Sequence, residues 1–227
     1  MSASFPIPRR LFLFDLDGTL IDSRRDIALS VNLALERLGL PSLPESRVVD
    51  FVGDGVDKLV LRALRESRGG EPGPEILRQG LSVLIEEYGR HLMDYTRLYP
   101  GVREMLAALD WGTFGVVSNK LERFSRSVLS GFGLADHFCV IFGGDTFPQR
   151  KPDPTPLLRA MEICGAAPGE TVMVGDSPAD ILAGKAAGVF TCGFGCGFRS
   201  PEELRTAGCD ILVQSLLDLP RYFRPLS

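Results

Sequence analysis

The sequence predicts an α/β fold in which a doubly wound, mainly parallel sheet carries an inserted all-helical segment. Short unbroken apolar runs, too brief for helices, recur along the chain and are typical of parallel strands covered on both faces. These runs span residues 10–14, 113–118, 138–142, 171–174, 189–194 and 210–213. Segments with helical spacing of apolar residues lie between the later runs. This alternation predicts a doubly wound sheet with its ligands at the carboxyl ends of the strands.

The alternation is interrupted between Asp22 and Tyr95, where apolar residues keep helical spacing and no strand pattern stands out. Three helices are predicted there. Their apolar stripes are Ile27, Val31, Leu35 and Leu38; Val56, Leu59, Val60, Ala63 and Leu64; and Leu77, Leu81, Leu84, Tyr88 and Leu92. The predicted domains are therefore an α/β core, formed by residues 1–21 and 96–227, and a helical cap formed by residues 22–95.

Composition and charge exclude several classes of protein. The 227 residues are 44% hydrophobic and 24% charged, with a formal net charge of -4, which is ordinary for a globular protein and unlike a disordered or collagen-like chain. Because the chain is acidic and has no basic run, no nucleic-acid partner is expected. No apolar run approaches the length of a transmembrane helix, and the N-terminal segment does not resemble a secretory signal. No membrane association is expected.

The five cysteines are odd in number and irregularly spaced. The chain is long enough to fold without disulfides, so reduced thiols in a cytoplasmic protein are the expected state.

Two carboxylates follow the first predicted strand. Asp15 lies at its carboxyl end, Asp17 follows in the loop, and Gly18 allows a sharp turn. Carboxylates this close raise each other's pKa unless a cation neutralises them or they share a proton. Among cations, Mg²⁺ prefers hard oxygen ligands of this kind.

Polar residues also follow three other predicted strands. Ser118 and Asn119 come after the run at 113–118, Lys151 follows a loop after the run at 138–142, and Asp176 and Asp180 come after the run at 171–174. A doubly wound sheet brings all four loops to one edge. Each motif alone has a structural explanation, since a turn or a helix cap also uses Asp and Ser. Their combination favours a catalytic site.

These segments together resemble the haloacid dehalogenase-like hydrolase superfamily. Its four motifs are met in order by "DLDGTLIDS", "SN", the lysine of "RKPDP" and "GDSPAD", and the resemblance covers nearly the whole chain. Within the superfamily, "TRLYPGV", "GGDTFPQRKPDPTPLL" and "VMVGDS" are most similar to phosphoglycolate phosphatases. The resemblance implies a Rossmann-like core with a helical cap inserted after the first motif.

The resemblance also implies roles for the acidic residues. Asp15 is expected to be a nucleophile that forms an aspartyl-phosphate, and Asp17 to donate a proton to the leaving oxygen and later accept one from water. Mg²⁺ is expected to bind the Asp15 carboxylate, the Asp17 carbonyl and the Asp176 carboxylate. Asp180 is expected to orient the metal shell or Lys151, which supplies positive charge and counts among the catalytic residues.

Two further groups of residues are expected to bind substrate. Ser118 and the Asn119 amide are placed to hold phosphoryl oxygens where the following helix begins. In the cap, Gly53, Asp54 and Gly55 precede a helix and suit a loop that folds over the site with its backbone N–H groups.

The third acid of the first motif, Asp22, falls where the cap begins. Together with Ser23 it is predicted to form the N-cap of the first helix in the cap domain.

The cap domain is expected to open and close on joints near residues 21–23 and 97–101, because water must reach the site in one step and be excluded in another.

These expectations define a Mg²⁺-dependent phosphatase that acts on a small phosphorylated metabolite, with phosphoglycolate as the leading substrate, and that is a monomer or a homodimer. Asp17 argues against a dehalogenase, which needs no acid for its leaving group. A sugar-phosphate mutase, a pyrophosphatase and a nucleotidase remain open, as does a phosphonate hydrolase using Lys58. A receiver-like or non-catalytic phosphate-binding domain is the alternative from another class, and it is disfavoured by the chain length and the cap.

Overall fold

A computed structural model describes residues 5–226 of the chain. In chain order the strands are β1 (Ile7–Pro8), β2 (Leu11–Phe14), β3 (Ile21–Asp22), β4 (Arg97–Leu98), β5 (Thr113–Val117), β6 (Phe138–Phe142), β7 (Thr171–Gly175), β8 (Phe190–Phe194), β9 (Ile211–Val213) and β10 (Phe223–Arg224). The helices are α1 (Arg24–Arg37), α2 (Glu45–Phe51), α3 (Val56–Arg68), α4 (Pro74–Arg90), α5 (Val102–Ala108), α6 (Glu122–Gly131), α7 (Thr155–Cys164), α8 (Pro178–Ala186), α9 (Pro201–Thr206) and α10 (Leu219–Tyr222).

Six parallel strands form the central sheet in the order β6-β5-β2-β7-β8-β9. Strand β2 lies in the middle, where Leu11 is in register with Thr113 of β5 and Thr171 of β7. Every residue of β2 is buried, which explains its unbroken apolar sequence. All six apolar runs are strands of this sheet, and the predicted α/β fold with a mainly parallel sheet is confirmed.

Apolar residues cover both faces of the sheet, because successive side chains of a strand point in opposite directions. Phe12 and Phe14 belong to one buried cluster, and Leu11 and Leu13 belong to another. The helices between the strands pack on these two faces. The loops at the carboxyl ends of β2, β5 and β7 therefore meet at one edge of the sheet.

The segment between β3 and β4, which we call the helical insert (residues 24–90), contains four helices rather than the three predicted. The missed helix is α2, which has only seven residues, of which Val48 and Phe51 are buried. Such a short element shows too little periodicity to be recognised. The helical insert has a hydrophobic cluster largely of its own, which also includes Phe124 of α6.

The two connections between the insert and the sheet region are paired with each other. Strands β3 and β4 run antiparallel, with Ile21 opposite Leu98. Beside this ribbon, the fully buried carboxylate of Asp26 accepts hydrogen bonds from the backbone N–H groups of Tyr95 and Thr96 at 2.8–3.0 Å and from the Thr96 hydroxyl at 2.7 Å. Asp26 thereby fastens the first turn of α1 to the returning chain.

The prediction that all five cysteines are free thiols is wrong for two of them. The Sγ atoms of Cys139 in β6 and Cys164 at the end of α7 are joined in a disulfide, with the Cα atoms 6.3 Å apart. Cys192, Cys196 and Cys209 are free. The pairing was not visible in the sequence, because 25 residues separate the two partners and only the packing of α7 on the sheet brings them together.

Across residues 5–226, no helix has both the length and the apolar character needed to cross a lipid bilayer.

Candidate active site

A cavity of about 80 Å³ lies between the carboxyl edge of the sheet and the helical insert. The sheet side supplies polar groups, which are Asp15, Asp17, Ser118, Asn119, Lys120, Asp176, Ser177 and Arg199. The opposite side consists mainly of apolar side chains of the helical insert. The structure therefore brings the polar residues predicted from three separate strand ends into one site.

Three carboxylates meet beneath this cavity. Asp15, Asp176 and Asp180 each offer an oxygen, and these oxygens lie within 4.8 Å of one another. Lys151 is buried beside them, with its Nζ 2.9 Å from Asp15 Oδ1 and 2.5 Å from Asp180 Oδ1. Lys151 is not part of the cavity wall, and it acts on the cavity through the two carboxylates that it contacts.

The crowding of charge changes the protonation of the cluster. Burial, opposed by Lys151 and reinforced by Asp180, raises the pKa of Asp15 to about 6. Burial and the charges of Asp15 and Asp180 raise the pKa of Asp176 well above its ordinary value. For Lys151, burial favours the neutral amine, but Asp15 and Asp180 outweigh it and raise the pKa. One ammonium thus faces three carboxylates, and the site has an excess of negative charge.

The donor set fits a divalent cation. The buried Oδ1 of Asp15 lies 2.9 Å from the Lys151 ammonium and has no other partner among the described residues. Both oxygens of Asp180 are occupied, one by Lys151 and the other by the backbone N–H and hydroxyl of Ser177. Because Asp15 and Asp176 line the cavity and Asp180 does not, the first two are the carboxylates that a metal in the cavity can reach, and Asp180 holds Lys151.

The Asp176 side chain packs so closely against two glycines that neither position has room for a Cβ atom. A Cβ atom added to Gly18 would lie 2.2 Å from Asp176 Oδ2, and one added to Gly197 would lie 2.2 Å from Asp176 Cβ. The carboxylate accepts hydrogen bonds from the backbone N–H of Phe198 at 2.6 Å and from the Thr19 hydroxyl at 3.3 Å. Its position is fixed by loops that follow β2, β7 and β8.

The Asp17 carboxylate points away from this cluster. It accepts hydrogen bonds from Lys120 Nζ, at 2.9 Å and 3.1 Å to its two oxygens, and from the Ser23 hydroxyl at 2.5 Å. Lys120 in turn donates to the hydroxyl of Tyr88 on α4, and its ammonium lies over the Tyr88 ring, 4.4 Å from the centroid. Although burial opposes it, the charge of Asp17 raises the pKa of Lys120. The nearest charged partner of Asp17 is thus a cation rather than another acid.

Ser23 occupies the N-cap position of α1 as predicted, but its hydroxyl donates to Asp17 and forms no hydrogen bond with the helix. Asp22 does contact the start of α1. Its Oδ1 lies 3.3 Å from the Arg24 backbone nitrogen, and both carboxylate oxygens bind the Arg24 guanidinium.

Ser118 and Asn119 are buried at the cavity, as predicted for phosphate-binding residues, but the side-chain amide of Asn119 is already occupied. Its Nδ2 donates to the carbonyl of Gly53 in the helical insert at 2.8 Å and to the carbonyl of Lys151 at 2.9 Å. The Asn119 side chain therefore ties the insert to the sheet edge, and the groups near it that remain for an anion are the Ser118 hydroxyl and backbone N–H groups.

The glycine loop of the helical insert reaches the cavity through two of its three predicted residues. Gly53 and Gly55 line the cavity, and their φ angles of 120° and 92° are in the region that favours glycine. The carboxylate of Asp54 instead pairs with Arg62 at 2.5 Å and lies outside the cavity wall. Its expected contact with substrate is not supported by this placement, because the side chain serves the loop itself.

Arg199, which follows β8, links the sheet region to the helical insert. Its guanidinium donates to the carbonyls of Val49, Asp50 and Val52 at the end of α2, at 3.4, 3.0 and 2.5 Å. The neighbouring residue Phe198 packs against the apolar cluster of the insert while its N–H holds Asp176. These adjacent residues join the insert to the acidic cluster.

Sequence reasoning missed Lys120, Tyr88 and Arg199. A signal for Lys120 was present, since it directly follows Asn119 in a strand-end loop of a chain with few lysines. Tyr88 looked like one more member of an apolar stripe. Arg199 offered no signal, because its partners are backbone carbonyls 147–150 residues away.

The architecture and the acidic strand-end site agree with a known class of enzyme. The family model described as haloacid dehalogenase-like hydrolase matches residues 12–194, and the chain belongs to this family.

The similarity extends to particular members of the family. The chain is 40% identical over 209 residues to the phosphoglycolate phosphatase of Chromobacterium violaceum, covering 91% of this chain and 92% of the relative. It is 37% identical over 225 residues to that of Nitrosospira multiformis, covering 98% and 99%. The crystal structure of a predicted phosphoglycolate phosphatase from Haemophilus somnus superposes with a TM-score of 0.88 at 32% identity, covering 93% of this chain and 96% of the other. These similarities confirm the predicted class, a phosphoric monoester hydrolase that resembles phosphoglycolate phosphatases.

Proposed function

We propose that the chain is a Mg²⁺-dependent phosphatase that hydrolyses a small phosphate monoester, with 2-phosphoglycolate as the leading substrate, through an aspartyl-phosphate on Asp15. The observation that carries the proposal is the placement of Asp15, which lines the cavity with Lys151 Nζ 2.9 Å from its Oδ1 and the Asp176 carboxylate beside it. The names of the relatives, which are phosphoglycolate phosphatases at 35–43% identity, support the choice of substrate.

In the first step, a carboxylate oxygen of Asp15 attacks phosphorus and the bond to the leaving oxygen breaks. Asp17 gives a proton to that oxygen, so that an alcohol departs rather than an alkoxide. In the second step, Asp17 takes a proton from water, the hydroxide attacks phosphorus, and the bond to Asp15 breaks. The ion pair of Asp17 with Lys120 suits this second step, in which Asp17 must be ionised.

Mg²⁺, held by Asp15, Asp176 and the Asp17 carbonyl, would neutralise the excess negative charge and stabilise charge on the phosphoryl group. Lys151 holds the Asp15 carboxylate, and Asp180 holds Lys151. Ser118 and backbone N–H groups near Asn119 bind the phosphoryl oxygens.

We assign residues 22–95 as a cap and residues 1–21 and 96–227 as the catalytic core. In the structure the helical insert lies over the acidic site and is held by Asn119 and Arg199. Its apolar residues exclude water while the leaving group is bound. It must release these contacts for substrate to enter and for water to follow, with the β3 and β4 ribbon as the hinge.

The proposal is tested by phosphate release from p-nitrophenyl phosphate with Mg²⁺ and with EDTA. We expect turnover that depends on Mg²⁺ and is lost in Asp15→Asn, while the exposed Asp110→Asn control retains it. Turnover in EDTA would contradict the metal requirement, and turnover by Asp15→Asn would contradict the nucleophile. A panel of phosphate monoesters compared by kcat/KM, with 2-phosphoglycolate among them, then tests the substrate.

A further inference from the structure

The helical insert offers the cavity a single polar side chain. Of the insert residues that line the cavity, all but Tyr88 are apolar or glycine. The apolar ones are Ile27, Val52, Val56, Leu59, Leu84 and Ile85. Within the described chain, a leaving group that enters this side of the cavity can therefore form a hydrogen bond with an insert side chain only at the Tyr88 hydroxyl.

The hydroxyl of Tyr88 is available as a donor. Lys120 uses its three N–H groups on the two oxygens of Asp17 and on Tyr88 Oη. Tyr88 Oη thus accepts a hydrogen bond, and no described residue accepts one from its own O–H. Burial, only partly offset by Lys120, raises the pKa of Tyr88 to about 12, so the hydroxyl keeps its proton at neutral pH.

The two cations in the cavity wall, Lys120 and Arg199, already bind other groups. Arg199 uses three of its five N–H groups on the carbonyls of Val49, Asp50 and Val52. Lys120 has no N–H group left, because all three bind Asp17 or Tyr88. Lys151 lies behind Asp15 and outside the wall. An anionic group beside Asp17 therefore meets the Tyr88 O–H, polarised by the Lys120 ammonium, rather than a free ammonium.

The position of Tyr88 matches a substituent close to the ester oxygen. Asp17 must lie next to the leaving oxygen to protonate it, and Lys120 bridges Asp17 to Tyr88 through two hydrogen bonds. Only the Lys120 ammonium thus lies between the Tyr88 hydroxyl and the Asp17 carboxylate, which must be next to the leaving oxygen. In 2-phosphoglycolate the carboxylate is attached to the carbon that carries this oxygen.

We propose that Tyr88, supported by Lys120, is the specificity residue that donates a hydrogen bond to a carboxylate on the leaving group, so that the enzyme selects short phosphate monoesters of 2-hydroxy acids. This inference rests on the proposed function, because it needs Asp17 beside the leaving oxygen. Tyr88 is held in place by packing edge-to-face on Phe124 of α6, with ring centroids 5.2 Å apart. The donor is therefore oriented before substrate binds.

The test compares 2-phosphoglycolate with ethyl phosphate, which has a methyl group in place of the carboxylate. The variant Tyr88→Phe removes the hydroxyl and keeps the ring. We expect kcat/KM for 2-phosphoglycolate to fall at least about tenfold, mainly through KM, and kcat/KM for ethyl phosphate to change less than about twofold. Tyr99→Phe is the matched control, since Tyr99 is also buried, has an unpartnered hydroxyl among the described residues and lies outside the cavity wall.

An equal loss on both substrates, or no loss on 2-phosphoglycolate, overturns the role of Tyr88. If the wild-type enzyme does not favour 2-phosphoglycolate over ethyl phosphate, the role of Tyr88 is also overturned. This comparison needs no variant, so it remains decisive if the Tyr88→Phe protein does not fold. These outcomes leave the phosphatase proposal intact as long as p-nitrophenyl phosphate is hydrolysed with Mg²⁺. Absence of that turnover overturns both.

Discussion

Lys120 Nζ lies 2.9 Å and 3.1 Å from the two carboxylate oxygens of Asp17, and its side chain is only 4% exposed. This contact fixes the orientation of the proposed acid and base. In Lys120→Met, Asp17 loses two of its three side-chain hydrogen bonds and with them its orientation, so protonation of the leaving oxygen is impaired. We expect kcat to fall on the order of 100-fold for ethyl phosphate and about tenfold or less for p-nitrophenyl phosphate, whose leaving group needs little protonation.

Steady-state kinetics on the two substrates measure this difference, and Lys185→Met, at a partly exposed lysine outside the cavity wall, is the control. A loss of equal size on both substrates would mean that Lys120 serves the second step, which the two substrates share, or the fold, and not protonation of the leaving oxygen.

The raised pKa of Asp15 makes the stability of the metal-free protein depend on pH. With an ordinary pKa of 3.8 when unfolded and about 6 when folded, Asp15 binds a proton more tightly in the folded state. Between these two values the folded state holds more protons, so stability falls as pH rises and is greatest below pH 4 for this group. The loss is on the order of 3 kcal/mol for Asp15, and Asp176 adds to it in the same direction.

Urea unfolding in EDTA between pH 4.5 and 7.5 measures the free energy of unfolding. We expect it to decline in the wild type, to decline less in Asp15→Asn, and to recover when Mg²⁺ is added near pH 7. Stability that rises with pH over this range would contradict the assigned direction.

Arg199 fastens the end of α2 to the sheet region through backbone carbonyls. In Arg199→Met we expect the helical insert to open more readily and kcat/KM for a phosphate monoester to fall about tenfold, while the melting temperature changes little. Kinetics and thermal unfolding are compared with those of Arg205→Met, at a surface arginine that pairs with Glu202. A large fall in melting temperature with unchanged kinetics would assign Arg199 to the fold alone.

The buried carboxylate of Asp26 is satisfied by the chain at Tyr95 and Thr96. Because Asp26→Ala leaves the backbone N–H groups of Tyr95 and Thr96 and the buried Thr96 hydroxyl without their acceptor, we expect a loss of about 3 kcal/mol in the free energy of unfolding. Chemical denaturation gives this value, with the exposed Asp136→Asn as control. A loss below about 1 kcal/mol would show that water replaces the carboxylate.

Much of this arrangement could be predicted from the sequence, because strand ends and their residues are local features. Asp15 and Asp176 follow buried runs, and parallel pairing of β2 with β7 forces them together. The same logic placed Ser118 and Lys151 at that edge.

Contacts between distant segments could not be predicted in this way. The bond from Asn119 to Gly53 and the clasp of Arg199 on α2 depend on how the helical insert sits on the sheet edge, which no periodicity encodes. Lys120, the partner of Asp17, was missed for the same reason. The ionisable residues nearest to Asp17 in the sequence are acids, whereas Lys120 follows β5 and lies 103 residues away in the chain.

The insert is attached to the sheet edge partly through its main chain. Asn119 bonds to the carbonyl of Gly53, and Arg199 bonds to the carbonyls of Val49, Asp50 and Val52, so these bonds do not use the side chains of the accepting residues. Side chains that face the cavity, such as Val56 and Leu59, can therefore be exchanged without removing these four hydrogen bonds. Substrate range can thus diverge in evolution while this part of the attachment is kept.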